Sequence, residues 1–402
     1  MRMSKKKEIV PKFRFPEFQR DGIDFVHGNK LFKSITNKNH NSDLPILAIT
    51  QDQGAVPRDQ IEYNVTVTDK SLSNYKVVEL GDFIISLRSF QGGIEYSRFK
   101  GICSPAYIIL RKREENISEL YYKYFFKTWR YIQSLNRNLE GIRDGKMISY
   151  SQFSSVKVPY PRSFKEQQKI ADCLSSIDEL IDAENRKLKA LEKYKKGLMQ
   201  KLFPAEGKTL PEWRFPEFRG KSEWRIKPLG KICTNYDSRR IPITEKDRVK
   251  GEIPYIGASG VIDYINDFIF DEDLLCVSED GANLVARTYP IAFSISGKTW
   301  VNNHAHVLKF SHKYTQDIVE SYLNMINLQD FLTGMAQPKL NRAKLDIIPI
   351  PLPEEEEQQK IADCLSEVDK IITEQSNKVE QLKAHKKGLM QGLFPSLEEA
   401  DV

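Results

Sequence analysis

The sequence predicts an α+β chain: two globular α/β domains separated by two long helices that form an antiparallel coiled coil, the halves being pseudo-two-fold symmetric. Three observations carry this expectation. A 39-residue stretch occurs twice, both copies have heptad periodicity, and each follows a segment in which short strand-like runs precede a helical one. The copies are EQQKIADCLSSIDELIDAENRKLKALEKYKKGLMQKLFP at 166–204 and EQQKIADCLSEVDKIITEQSNKVEQLKAHKKGLMQGLFP at 357–395, offset by 191, with 23 of 39 positions identical. A second repeat precedes each half: Lys12-Phe-Arg-Phe-Pro-Glu-Phe18 and Glu212-Trp-Arg-Phe-Pro-Glu-Phe218, offset by 200. The stretches between them, roughly 21–163 and 224–353, share almost nothing except their endings. Val158-Pro-Tyr-Pro161 and Ile348-Pro-Ile-Pro351 each place Pro-x-Pro where helix is forbidden and an extended exit is forced.

The repeated stretches read as helices. In the first, Ile170, Leu174, Ile177, Ile181, Leu188, Leu191, Leu198 and Leu202 follow alternating steps of four and three, skipping Glu184 and Lys195. In the second, Ile361, Leu365, Val368, Ile372, Val379, Leu382, Leu389 and Leu393 do the same, skipping Gln375 and Lys386. A single apolar seam cannot hide itself, so copy one is expected to pack on copy two, antiparallel if a two-fold relates them. The polar interruptions would then set register. Each helix should begin after Pro-x-Pro with acidic residues in its first turn (Glu166; Glu354 to Glu357) and end at Leu-Phe-Pro. About 37 residues at about 1.5 Å each span roughly 55 Å, longer than the roughly 34 Å of one turn of duplex DNA.

The first variable segment has strand-like runs at 44–50, 63–68, 82–87 and 106–110, then a helical run at about 118–138. The second repeats that order with runs at 253–256, 273–278, 292–296 and 306–310 and a helix around 316–332. The expected divisions are an N-terminal segment 1–20, a first domain 21–163, a helical region 164–204, a linker 205–223, a second domain 224–353, a helical region 354–395 and a tail 396–402.

Composition excludes several classes of function. Among the 402 residues, 40% are hydrophobic and 29% charged, as in ordinary globular domains. No apolar run approaches the roughly 18 residues of a membrane span, and the start lacks the apolar stretch of a signal peptide, so a cytoplasmic chain without membrane contact is expected. Five cysteines, none spaced C-x-x-C, predict neither disulfides nor a cysteine zinc cluster. Gly141-Ile-Arg-Asp-Gly-Lys146 has one residue too few between its glycines, and no Ser or Thr after its lysine, to be a phosphate loop. No other catalytic motif is present, and no catalytic residue, bound cofactor or metal is expected. His304 and His306 would share a strand face, but no third metal ligand accompanies them.

The net charge of +6 suits a nucleic-acid partner. The first variable segment holds 20 basic and 15 acidic residues, the second 15 of each, so any affinity in the second must come from local clustering. Candidate DNA-contacting residues lie in loops after strands and helices. In the first segment they are Arg88, Ser89 and Gln91, then Arg143, Lys146, Ser149 and Gln152. In the second they are Arg239, Arg240, Lys298, Asn302, Asn303 and His304, then Gln337, Lys339, Asn341, Arg342 and Lys344. Arginine suits guanine edges, glutamine and asparagine suit adenine, and lysine and serine suit phosphate. A coiled-coil scaffold or adaptor without catalysis is the alternative from another class.

Glu166-Gln-Gln-Lys-Ile-Ala171 and Lys195-Lys-Gly-Leu-Met-Gln200, with their second copies at 357–362 and 386–391, resemble the repeated motifs of the specificity subunits of type I restriction-modification enzymes. Tyr255-Ile-Gly-Ala-Ser-Gly260 and Trp300-Val-Asn-Asn-His-Ala-His306 resemble recurrent wording in that family's target-recognition domains. The resemblance covers essentially the whole chain. It implies a bipartite, asymmetric double-stranded DNA target, with one half read by each domain and a gap fixed by the helical spacer. It also implies two modification (methyltransferase) subunits and restriction (translocase/endonuclease) subunits as partners, with S-adenosylmethionine, ATP and Mg on those partners. On this reading, replacing residues 21–163 by another variable segment changes one half of the target only; sequencing of methylated sites checks it, and a change in both halves contradicts modularity.

Overall fold

The computed structural model describes residues 10–41, 43–61, 72–137, 148–334 and 337–395. The expected strand at 63–68, and Arg143 and Lys146, lie outside them. The chain divides into two compact units, Met1–Glu184 with Lys378–Val402, and Asn185–Asn377.

The first unit contains β1 (Ile23–His27), helical turn α1 (Gly28–Leu31), β2 (Phe32–Ile35), β3 (Leu47–Thr50), β4 (Gly54–Pro57), β5 (Lys76–Val78), β6 (Phe83–Ile85), turn α2 (Ser89–Gly92), β7 (Glu95–Tyr96), β8 (Gly101–Cys103), β9 (Ile108–Lys112), α3 (Glu119–Phe125), α4 (Trp129–Arg137), α5 (Tyr150–Ser155) and β10 (Lys157–Pro161). An antiparallel sheet of order β2-β9-β6-β7 packs against α3 and α4. The pairs β3-β4, β5-β8 and β1-β10 flank it. The single helix expected over 118–138 is instead two. Gly93, at φ +82°, passes so close that a Cβ on it would lie 2.2 Å from the Phe126 carbonyl oxygen. Thr128 Oγ1 donates to the Phe125 carbonyl at 2.8 Å and accepts from the Tyr131 N–H at 3.4 Å, capping the start of the second helix. The break lets Phe126 and Tyr131 pack with ring centroids 4.9 Å apart in the core.

The second unit contains β11 (Arg225–Pro228), β12 (Thr234–Asn235), β13 (Lys250–Gly257), β14 (Gly260–Ile265), β15 (Phe270–Asp271), β16 (Leu274–Ser278), β17 (Ala292–Ile295), β18 (Lys298–Val301), β19 (Ala305–Lys309) and β20 (Pro349–Leu352). They form a sheet β12-β19-β16-β17, a sheet β14-β13-β18-β15 and the pair β11-β20. Running between the two long helices of the chain, α6 (Phe164–Leu202) and α10 (Glu355–Leu393), are the turn α7 (Asn283–Ala286), α8 (Lys313–Met325) and α9 (Arg342–Asp346). The helix expected over 316–332 therefore starts earlier and stops earlier. Its end is fixed by Arg287, whose guanidinium donates to the Leu323 and Ile326 carbonyls at 3.1 and 3.0 Å.

Helices α6 and α10 have 39 residues each and begin and end where acidic first turns and Leu-Phe-Pro placed them. Each contributes one end to each unit. In the first unit they run antiparallel: Asp178 pairs with Lys386, while Glu184 pairs with Lys378 at 2.6 Å. The second unit carries the matching contact, Lys195 to Asp369 at 2.5 Å. With the offset of 191, Asp178–Lys386 and Asp369–Lys195 are the same interaction in two copies. All sixteen seam residues are buried or half-buried. At the helix ends, Phe394 packs on Tyr121 and Phe125, and Phe203 packs on Trp224 and Tyr322, so each Leu-Phe-Pro plugs a domain core.

The short repeat straps these ends. The Phe13 N–H donates to the Gly392 carbonyl at 2.8 Å, and the Trp213 N–H to the Lys201 carbonyl at 2.9 Å. One residue on, Arg14 grips Glu166 with two hydrogen bonds of 2.7 and 2.9 Å, and Arg214 grips Glu357 with two of 2.7 Å. The side chains of Arg14 and Glu166 are only 6% and 1% exposed. The heptapeptide thereby ties the end of one long helix to the start of the other. The glutamine that follows each of these glutamates is tied down as well, since the Gln167 amide donates to the Pro161 carbonyl and the Gln358 amide to the Pro353 carbonyl, both at 2.9 Å. Removing one partner of a buried pair leaves the other charge unpaired, at a cost of roughly 3–5 kcal/mol. Arg14→Ala and Arg214→Ala are each expected to lower unfolding free energy by about that amount in urea titrations; a loss of a few tenths would contradict the strap.

Candidate nucleic-acid interface

In the first unit, Arg88 and Gln91 are exposed at α2. Ser89 is not available: it is buried, and its Oγ accepts from the Ser86 N–H at 2.9 Å, holding the turn that presents its neighbours. Ser149 and Gln152 form a capping box on α5, with the Gln152 N–H donating to Ser149 Oγ at 3.2 Å and the Ser149 N–H to Gln152 Oε1 at 2.7 Å. Their assignment as base and phosphate contacts is corrected to helix capping.

The second unit gathers its candidates from four separate loops. Glu279 lies at the centre: Arg240 reaches it at 2.8 Å, Lys339 at 3.3 Å and His306 at 3.9 Å. Arg240 also donates to the Ala305 carbonyl at 2.7 Å, so it serves as a half-buried brace. His304 Nδ1 lies 2.9 Å from Asp280 and stays exposed. His306 is buried, with Nδ1 2.6 Å from Asp237 and Nε2 2.7 Å from the Leu340 carbonyl. Both its ring nitrogens are engaged, and no group of three or more metal-ligating side chains occurs among the described residues.

Asn302 is buried, its Oδ1 accepting from the His304 N–H at 2.8 Å, and Asn341 caps α9 by accepting from the Lys344 N–H at 3.0 Å. Both act on the backbone and are corrected accordingly. Lys344 is half-buried beside that cap. Asn303, Gln337, Lys339 and Arg342 keep exposed side chains around the same loops, although Arg342 has Asp346 3.6 Å away along its helix. Arg239 and Lys298 are exposed on a separate aromatic ledge. The Arg239 guanidinium lies 4.6 Å from the Tyr236 ring centre and 4.7 Å from that of Phe270, and Lys298 lies 4.7 Å from Phe268.

Sequence reasoning missed Asp237, Glu279 and Asp280, which aim the basic loop residues. Apart from Asp237 beside Arg240, three residues on, they lie 24 to 69 residues from the side chains they hold. Burial alone would raise the Asp237 carboxyl. The hydrogen bond and charge of His306, the Val307 N–H and Arg240 outweigh it and hold that carboxyl below its ordinary value of 3.8.

Comparison with known proteins places these loops in context. A family model described as the type I restriction modification DNA specificity domain matches residues 21–193 and 221–383. The MjaVIII type I restriction enzyme specificity subunit of Methanocaldococcus jannaschii is 25% identical over 355 residues, covering 81% of this chain and 80% of that one. A Haemophilus influenzae protein carrying the name of a type I restriction enzyme specificity subunit is 33% identical over 153 residues, which are 38% of this chain and 39% of that protein. A solved type I restriction-modification S subunit from M. genitalium has the same fold, with a TM-score of 0.59 at 15% identity, covering 96% of this chain and 99% of that one.

Because the folded Asp237 carboxyl is held low, its contribution to stability is complete above the unfolded value and is lost as pH falls through the folded one. In acid unfolding monitored by circular dichroism below about pH 4, wild type is expected to lose stability more steeply than Asp237→Asn; equal slopes would contradict the Asp237–His306 linkage.

Proposed function

The chain belongs to the type I restriction modification DNA specificity domain family, and we propose from that premise that it is the non-catalytic specificity subunit of a type I restriction-modification complex. It reads a bipartite, gapped duplex target and directs adenine methylation or restriction by its partners. The observation that carries this reading is the duplicated frame around dissimilar inserts: the Arg14–Glu166 strap recurs as Arg214–Glu357, while the loops of the two units share no sequence. Equivalent frames suit identical partners, and different inserts suit different half-sites.

In the first unit the exposed side chains suited to base edges are Arg88 and Gln91; in the second they are Arg239, Asn303, Gln337 and Arg342. Lys298 and Lys339 suit backbone phosphate. Glu279 holds Lys339 in place until a phosphate, the stronger competitor for an ammonium, takes it over. The second unit's neutral variable segment makes such local pre-positioning the source of its affinity, since no broad basic field is available.

Two modification subunits would dock on the equivalent faces that the repeats create, and restriction subunits would join them. S-adenosylmethionine, ATP and Mg would be held by those partners. The scaffold reading is not favoured, because the match to the DNA specificity family model spans both halves of the chain.

Co-expression with a methyltransferase subunit, followed by mapping of N6-methyladenine in host DNA, is expected to give one gapped, two-part motif. A stable complex that leaves no such motif would overturn the reading.

A further inference from the structure

A cleft of about 1010 Å³ opens within the first unit. Its lining includes Tyr96, Arg98, Phe99, Lys123, Trp129 and Lys386. Two ammonium groups converge there on one carboxylate. Asp178 is paired with Lys386, lies 3.8 Å from Lys123 and accepts a 2.7 Å hydrogen bond from Tyr124 Oη. Both lysines also stand over the Tyr124 ring, at 4.6 and 5.2 Å from its centre. Arg98 adds a third cation, with no ion pair among the described residues. Over the whole cleft, seven basic side chains stand against four acidic ones, so its lining is net positive in a partly desolvated place. Burial, reinforced by Arg98 and Lys386, outweighs the opposing pull of Asp178 and pushes the Lys123 amine down to about 8.

We propose that this cleft binds a nucleoside phosphate, with its phosphate on Lys123, Lys386 and Arg98 and its base against Trp129 and Phe99. A doubly charged phosphate offsets the net positive charge of this lining and can accept from several of its cations at once. Trp129, 66% exposed, offers a large planar surface in contact with water, the arrangement a base covers on stacking. The volume suits a ligand of nucleotide size. The same chemistry is offered by a free nucleotide and by a nucleotide unstacked from a nucleic-acid strand. This inference stands independently of the assignment as a specificity subunit.

The test is titration of the full chain with AMP, read by tryptophan fluorescence and by equilibrium dialysis. Saturable one-site binding with quenching is expected. Trp129→Phe should abolish most of the quench while dialysis still detects binding. Lys123→Gln and Arg98→Gln, each confirmed folded by circular dichroism, should weaken binding by about tenfold or more. Displacement of AMP by a short single-stranded oligonucleotide assigns the ligand to a strand, and failure of the oligonucleotide to compete assigns it to the free nucleotide. The proposal is overturned by the absence of saturable binding to the folded wild type, by unchanged affinity in both variants, or by inorganic phosphate binding as tightly as AMP.

Discussion

Arg14 with Glu166, and Arg214 with Glu357, are the contacts on which the rest of the structure depends. Each is a fork of two short hydrogen bonds between a planar guanidinium and a carboxylate at the start of a long helix, in a largely buried place. The charges are costly to bury singly, so the pair is satisfied in only one geometry, and that geometry positions everything nearby. The residue before each arginine is thereby set against the far end of the other long helix, through Phe13 on Gly392 and Trp213 on Lys201. The glutamine after each glutamate then fixes the exit of the globular domain, through Pro161 and Pro353. A seven-residue motif and a six-residue motif thus define how two helices and a domain meet, twice in one chain.

That arrangement separates two kinds of polar residue. Those of the frame have partners of fixed identity and are buried or half-buried: Asp178 with Lys386, Asp369 with Lys195, Gln167 and Gln358 on strand-end carbonyls. Those of the loops are exposed, or are held by acids that a stronger anion can displace, as Glu279 holds Lys339. A frame whose polar residues have fixed partners, beside loops whose polar residues are exposed, is the physical condition for changing specificity without changing assembly.

How far the sequence revealed this depended on range. The helices were legible to their last residues because heptad spacing, acidic first turns and Leu-Phe-Pro all act locally. The seam was legible as well, down to the polar interruptions Lys195 and Lys386, whose partners Asp369 and Asp178 were not. The loops were legible only in part, because the side chains that suit base edges also suit turns and helix caps. Ser89, Ser149, Gln152, Asn302 and Asn341 spend their polar atoms on nearby backbone. Arg240 was lost to acids 3 and 39 positions away, and no single-sequence pattern separates it from its neighbour Arg239, which stays exposed. The cleft was illegible for the same reason: Arg98, Lys123 and Lys386 meet only after folding.

The claim that frame and readers are separable is tested most directly by exchanging charges across the seam of the second unit, Asp369→Lys with Lys195→Asp, and comparing stability and methylated sequence. Each single reversal is predicted to destabilise the chain, the double exchange to recover most of the loss, and the methylated motif to be that of wild type throughout. A double variant no more stable than the sum of its singles, or one that methylates a different sequence, would contradict the account.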